Sequence, residues 1–115
     1  MSVNSNNNAG INVRLVPSKD SAGGMKDDKG KVRWDLIDFE SLDELAGVLT
    51  YGAQKYEEDN WQKVDHPQQR YFSAIMRHIS AWKRGEVTDE DGYSHMAHVM
   101  ANAMFLMYFD RKEDD

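Results

Sequence analysis

The sequence predicts an all-α domain, and three observations support this fold class. Leu, Met, Ala and Glu are common and there are only two prolines, a composition that favours helix over sheet. Two long segments carry apolar residues at three- and four-residue steps, the spacing that gives a helix one apolar face. A third segment is apolar on every side. Because the chain has 115 residues, we expect a single domain.

Three helices account for these segments, and each has a suitable capping residue at its start or end. They are predicted over about residues 38–56, 68–83 and 94–109. The capping residues are Asp38 or Ser41 for the first helix, Gly85 for the second, and Asp91 or Ser94 for the third.

The flanking segments differ in composition from the helical domain, which we place at residues 26–110. Residues 1–25 are rich in Asn, Ser and Gly and are predicted to form a flexible arm, with an alternating run at 11–16 as a candidate edge strand. Residues 111–115 form a charged tail that we expect to fray.

Charge and composition exclude several classes of function. Fourteen basic against twenty acidic residues give a net charge of −6, which disfavours binding to duplex nucleic acid. The absence of cysteine excludes disulfides, thiol catalysis and Cys-type zinc sites. No run approaches the roughly 20 apolar residues of a membrane span, and no secretory signal is visible. We therefore expect a cytoplasmic protein without a membrane partner.

The third helix predicts an oligomer. Residues 96–109 place Met, Ala, Phe, Leu and Tyr side chains all round the helix, so the helix must be buried on every side. A domain of three helices cannot easily bury such a helix alone. We expect a homodimer, or a higher homo-oligomer, whose chains share one helical bundle.

Three histidines interrupt these apolar surfaces. His95, His98 and Asn102 fall within about 60° on the third helix, at about 100° per residue. His78 lies on the side of the second helix that also carries Tyr71, Ile75 and Trp82. Two interpretations stay open: core histidines that bond to backbone carbonyls, or a set that binds a metal or a phosphate. The His95–His98 spacing of one helical turn suits two ligands of one ion.

The turn before the third helix is acidic. Its carboxylates could supply oxygen ligands next to the histidines, or they could be solvated and favour the positive N-terminus of the helix. The residues are Glu86, Asp89, Glu90 and Asp91.

Two further sets are candidates for nucleotide binding. The basic connector could hold phosphates and stack a base, and the set after the first helix suits nucleobase recognition. The alternative for the connector is a solvated linker. The alternative for the second set is that its aromatic residues are ordinary core anchors. The connector set is Lys29, Lys31, Arg33 and Trp34, and the second set is Lys55, Tyr56, Asn60 and Trp61.

Five motifs together resemble a bacteriophage family of dATP/dGTP diphosphohydrolases that includes MazZ-type proteins. The resemblance covers about residues 26–109. The motifs are 29–37 (KGKVRWDLI), 52–56 (GAQKY) with Asn60-Trp61, Arg77-His78 with Ala81-Trp82, Gly85-Glu86 with Asp89, and His95-x-x-His98 with Asn102.

The resemblance implies a helical bundle similar to the MazG-like nucleotide pyrophosphatases. Those enzymes use a divalent metal, usually magnesium, and cleave a nucleoside triphosphate between the α and β phosphates. The MazG pattern of Glu-x-x-Glu and Glu-x-x-Asp is replaced here by Arg77-His78 and by His95-x-x-His98. Because imidazole suits manganese, cobalt, nickel or zinc better than magnesium, the metal could differ, the acids could carry it, or none is used.

The leading hypothesis is therefore a dimeric phage phosphohydrolase that acts on purine deoxynucleoside triphosphates in the host cytoplasm. The alternatives are a non-catalytic protein that sequesters a nucleotide, for example an immune signal, and a structural accessory domain. The hypothesis assigns Glu86 and His78 to catalysis, His95, His98 and Asp89 to the metal, and Lys29, Lys31, Arg33, Trp34, Lys55, Tyr56, Asn60, Trp61 and Asn102 to the nucleotide.

Overall fold

The computed structural model describes residues 29–113. They fall into two units, residues 29–37 and residues 38–113, and each is described by itself. The arm predicted at 1–25 and the candidate strand at 11–16 lie outside the described residues. The first unit contains a single 3-10 turn, Trp34–Leu36, within its nine described residues.

The second unit is all-α, which confirms the predicted fold class. Its α-helices are α1 (Phe39–Lys55), α2 (Pro67–Lys83) and α3 (His95–Glu113), and a 3-10 turn at Asn60–Gln62 lies between α1 and α2. Residues 29–113 contain no β-strand, only an isolated bridge between Thr88 and Ser94. No helix in this part of the chain is long and apolar enough to cross a membrane.

The helix ends follow the predicted capping chemistry. Asp38 caps α1, because its Oδ2 accepts hydrogen bonds from the backbone N–H and the hydroxyl of Ser41. Beyond α2, Gly85 takes a φ of +102°, a conformation that glycine adopts without strain. Ser94 caps α3 by accepting the N–H of Ala97 at 3.0 Å. Of the two predicted caps for α3, Ser94 is therefore the one used, and Asp91 has other contacts.

The third helix is longer than the sequence pattern predicts. It continues through Arg111 and Lys112 to Glu113, whereas residues 111–115 were expected to fray. Cationic side chains in the last turn favour this end of a helix, and Lys112 Nζ also lies 5.8 Å from the ring centroid of Tyr108, one turn earlier.

Small residues on α3 let the other helices approach it closely. Val48 of α1 packs with Ala97 and Ala101, and these three form the buried apolar core of the described residues. Aromatic rings fill one end of the unit, where Trp61 stacks on Phe105 at 4.6 Å. Both α1 and α2 pack against α3, so residues from all three helices border a common space.

The outer surface of the unit retains large apolar side chains. Phe72 and Met76 of α2 are exposed, as are Met100 and Met107 of α3. Trp82, expected on the buried side of α2, is also about half exposed. A single chain therefore does not bury α3 on every side, and the homodimer stays a prediction.

Candidate functional site

A tight turn before α3 presents two carboxylates. Asp89 N–H donates to the carbonyl of Tyr93 at 2.8 Å, and His95 N–H donates to the carbonyl of Val87 at 2.9 Å. Gly92 completes the turn with a φ of +88°. These bonds fix the backbone of Asp89 and Asp91 beside the first turn of α3.

Three histidine rings meet between α2 and α3. The Nδ1 atoms of His78 and His95 lie 2.9 Å apart. The rings of His78 and His98 stack in parallel, with centroids 4.5 Å apart and planes 5° apart. The three histidines thus share one interface, although 17 residues separate His78 from His95 along the chain.

Both turn carboxylates reach these rings. Asp91 Oδ2 lies 2.8 Å from Nε2 of His98, and Asp91 Oδ1 accepts the N–H of Tyr93 at 3.0 Å. Asp89 Oδ2 lies between two rings, 3.8 Å from Nε2 of His98 and 3.9 Å from Nδ1 of His78.

The surroundings of the cluster lower the pKa values of Asp89 and His78. The backbone N–H of Glu90, which donates to Asp89 Oδ1 at 2.8 Å, lowers the pKa of Asp89 below its ordinary 3.8. Burial, followed by the nearby His98, lowers the pKa of His78 below its ordinary 6.5. At neutral pH the site therefore holds an ionised Asp89 beside an uncharged His78.

The side chains could hold a divalent metal in two groups. One group is His78, Asp89 and His95, the other is Asp89, Asp91 and His98, and within each group the ligand atoms lie within 4.8 Å of one another. His95 and His98, predicted to share one ion, thus fall in different groups that have Asp89 in common.

One buried atom also fits a metal site. His95 is only 4% exposed, and its Nε2 has no hydrogen-bond partner among the described residues. Such an unsatisfied buried group requires an explanation, of which an ion is one. The chemistry of the donors and this buried nitrogen together fit a cation.

An open cleft of about 730 Å³ lies beside this cluster. That volume is within the range of small-molecule sites. Three members of the cluster line it, Asp89, Asp91 and His98, together with five residues predicted to bind a nucleotide. Those five are Lys55, Tyr56, Asn60, Trp61 and Asn102.

The predicted nucleotide ligands are not equally available. Tyr56 is 64% exposed, whereas the Trp61 ring is already stacked on Phe105. Asn102 is buried, and its Nδ2 donates to the carbonyl of His98 at 2.8 Å, which leaves Oδ1 as an acceptor at the cleft wall. Lys55 Nζ lies 5.3 Å from the Tyr56 ring centroid, and its contact with Tyr56 raises the pKa of this lysine.

The other predicted site residues are Glu86 and those of the basic connector. Glu86 is exposed, and it belongs neither to the cleft lining nor to the two metal-binding groups found in residues 29–113. The basic connector belongs to the first unit, where Arg33 binds Asp35 at 2.7 Å. The exposed side chains of this connector include Lys29, Lys31, Arg33 and Trp34.

The sequence interpretation missed two contributors. Asp91 was considered as a cap and as one of several acids, yet it makes the shortest carboxylate contact with His98. Arg70 was not among the predicted site residues, yet it lines the cleft and pairs with Asp65 at 2.9 Å. A turn with two aspartates just before a helix that carries two histidines is the signal that could have found Asp91.

Comparisons with known proteins identify relatives. The profile of the family described as "dATP/dGTP diphosphohydrolase, N-terminal" matches residues 21–115. A protein of Salmonella phage PMBT28 named "dATP/dGTP diphosphohydrolase" is 37% identical over 86 residues, which cover 74% of this chain and 29% of that relative. The chain thus corresponds to less than a third of the relative's length. No solved structure matches.

Proposed function

Since the chain belongs to the dATP/dGTP diphosphohydrolase N-terminal family, we propose that it hydrolyses a purine deoxynucleoside triphosphate to a monophosphate and pyrophosphate. One observation carries the proposal: a single cleft is bordered both by candidate nucleotide ligands and by the His/Asp cluster. The proposed substrate is dGTP or dATP, as in the name of the phage relative.

We propose that the His/Asp cluster beside the cleft, which contains the predicted ligands His95, His98 and Asp89, holds a divalent metal. The family resemblance favours Mg²⁺ or Mn²⁺, and the imidazole ligands favour Mn²⁺, Co²⁺, Ni²⁺ or Zn²⁺. When bound, such an ion supplies a Lewis acid that withdraws charge from phosphate oxygens and lowers the pKa of water.

The remaining residues bind and orient the nucleotide. Lys55 neutralises phosphate charge at the cleft, and Tyr56, whose ring is exposed, is better placed than Trp61 to stack the base. Asn60 and the free Oδ1 of Asn102 read the base edge. We propose that the connector residues also bind the nucleotide. They are Lys29, Lys31, Arg33 and Trp34.

Hydrolysis requires one water and one base. The water oxygen bonds to the α phosphorus, the bond from that phosphorus to the bridging oxygen breaks, and pyrophosphate leaves with the electron pair. We propose that His78, a member of the His/Asp cluster, takes the proton of the water; Glu86, the other base predicted from the sequence, lies outside the cluster and the cleft lining. His78 is supported by its lowered pKa, which keeps it unprotonated at neutral pH.

The test is an incubation of the purified chain with deoxynucleoside triphosphates and single divalent metals, followed by chromatography of products and retained ligand. We expect metal-dependent release of a monophosphate and pyrophosphate from dGTP or dATP. His98→Ala should abolish turnover. His66→Asn is the matched control, because His66 is exposed and lies outside the cleft lining and both metal-binding groups.

Two results would contradict the proposal. Turnover by a chain that carries both His95→Ala and His98→Ala would remove these side chains from the mechanism. Intact nucleotide that co-elutes with the protein, without product under any metal, would instead favour sequestration of a nucleotide.

We also propose that the chain works as a homodimer. The exposed side chains of Phe72, Met76 and Met107 support this, because burying such surface between copies is favourable. Sedimentation velocity should give the mass of two chains. A monomer at all concentrations would refute it.

A further inference from the structure

We propose that a second cleft, next to the first, binds a pyrophosphate group: the two terminal phosphates of the bound triphosphate and, after hydrolysis, the released pyrophosphate. The side chains that would hold it are Arg70, Ser73 and Arg77 of α2, which lie outside the His/Asp cluster. This inference rests on the proposed function, because it gives a place to the leaving group of that reaction.

The second cleft has a volume of about 440 Å³ and shares a border with the first. Val64, Arg70, Tyr71 and Asn102 line both clefts and form this border. Tyr71 fixes part of it, because its hydroxyl donates to the carbonyl of Trp61 at 2.7 Å. A ligand that fills the first cleft therefore reaches the second at this border.

The border also lies close to the His/Asp cluster. Asn102 follows His98 by one turn of α3, about 6 Å along the helix axis. The Nδ2 atom of Asn102 donates to the carbonyl of His98 at 2.8 Å, which holds the Asn102 side chain in place. A triphosphate chain is long enough to cover such a distance. A nucleotide with its α phosphate at the cluster can therefore place its terminal phosphates at the second cleft.

The two clefts carry opposite charge. The lining of the first holds two cationic side chains and five carboxylates, whereas the lining of the second, among the described residues, holds Arg70 and Arg77 and no carboxylate. A metal at the cluster offsets only part of the negative charge of the first cleft. Because like charges repel, the phosphates furthest from that metal are more stable beside the two arginines.

Helical geometry brings the two guanidinium groups to one side of α2. Arg70, Ser73 and Arg77 follow one another at three- and four-residue steps and lie within about 60° around the axis. The hydroxyl of Ser73, between the two arginines, has no hydrogen-bond partner within residues 29–113. Arginine presents paired N–H donors that match phosphate oxygens, so two arginines with a hydroxyl between them suit two linked phosphates.

Both guanidinium groups are available to a ligand. Arg77 is exposed and makes no ion pair or side-chain hydrogen bond in the described part of the chain. Arg70 pairs with Asp65 at 2.9 Å, but the two side chains are 61% and 80% exposed. Because an exposed ion pair contributes little to stability, a phosphate group can replace Asp65 as the partner of Arg70.

A solvated basic side of α2 is the competing explanation. Such a surface would also include Arg84, which lies two turns beyond Arg77 on the same side of the helix. Arg84 donates to the hydroxyl of Ser80 at 2.6 Å and is outside the linings of both clefts. Arg84→Gln is therefore the matched control for Arg77→Gln, because each removes one positive charge from an exposed position.

The first experiment titrates the purified chain with inorganic pyrophosphate by isothermal calorimetry, in chelator and at low ionic strength. The unaltered chain should bind pyrophosphate, and Arg77→Gln should weaken this binding about tenfold or more. Arg77→Lys should restore only part of the affinity, because lysine keeps the charge but not the paired donors. Arg84→Gln should bind as the unaltered chain does. Equal losses in Arg77→Gln and Arg84→Gln, or no binding by the unaltered chain, would overturn the inference.

The second experiment measures hydrolysis of dGTP with Mn²⁺ and binding of dGMP. Arg77→Gln should raise the KM for dGTP and weaken inhibition by pyrophosphate, whereas the affinity for dGMP, which has no pyrophosphate group, should not change. An equal loss of dGMP affinity would assign Arg77 to another part of the nucleotide and overturn the inference. Circular dichroism checks each variant, and Arg77→Lys replaces Arg77→Gln if the latter is unfolded.

The two experiments separate this inference from the proposed function. Pyrophosphate binding that depends on Arg77, without turnover of any nucleotide, would refute the proposed function alone. Turnover of dGTP with an unchanged KM and unchanged pyrophosphate inhibition in Arg77→Gln would refute this inference alone.

Discussion

Gly47 of α1 controls how closely that helix approaches the turn that carries the candidate ligands. A Cβ at this position would lie 2.5 Å from Cε1 of Tyr93. Tyr93 in turn holds the turn, since its carbonyl accepts Asp89 N–H and its N–H donates to Asp91 Oδ1. Gly47→Ala should therefore disturb both the core and the position of the two carboxylates.

The change in the free energy of unfolding caused by Gly47→Ala is the sum of an overpacking cost and a gain in helix stability. Ordinary carbon contacts need about 3.5–4.0 Å, so Tyr93 must move by about 1 Å or more. Overpacking of this kind costs about 1–3 kcal/mol, while replacing a helical glycine by alanine gains about 0.5–1 kcal/mol. We expect a net effect between about no change and a loss of about 2.5 kcal/mol in the free energy of unfolding, with a Tm that falls accordingly.

Gly52→Ala is the matched control on the same helix. Nothing lies within 4 Å of a Cβ built at Gly52, so only the helix term applies and the Tm should rise. Thermal unfolding followed by circular dichroism compares the two variants, and Co²⁺ binding should weaken only in Gly47→Ala. If Gly47→Ala is as stable as Gly52→Ala and binds Co²⁺ normally, the proposed support of the turn by Tyr93 is wrong.

Three further predictions concern stability. Asp38→Ala removes the cap of α1 and should lower the free energy of urea unfolding by about 0.5–2 kcal/mol. Trp61→Ala removes the ring stacked on Phe105 and, because Trp61 is only partly buried, should cost about 2–3 kcal/mol in the same assay, less than the roughly 3–5 of a core site. With a chelator present, the Tm should fall as the pH drops below 6.5, because the folded pKa of His78 lies below its ordinary value and the unfolded chain therefore binds more protons. His78→Gln should reduce this dependence of the Tm on pH. An unchanged dependence in that variant would contradict the prediction.

The sequence could predict the helices because their signals are local. The cap at Asp38, the glycine at Gly85 and the three- and four-residue apolar steps act within one or two helical turns. The same periodicity placed His78 on the apolar side of α2, and His95 and His98 on one side of α3. Burial of His95 and Asn102 confirms that these polar residues lie inside the described structure.

The contacts inside the site depend on packing between distant segments. Three features depend on how α2, α3 and the turn pack together. They are the pairing of His78 with His95, the short contact of Asp91 with His98, and the position of Arg70 in the cleft lining. Helical periodicity fixes the direction of a side chain around its own axis but not the rotation or offset of the neighbouring helix. The sequence by itself therefore determined which residue types face the interior, and only the tertiary structure decided which of their atoms meet.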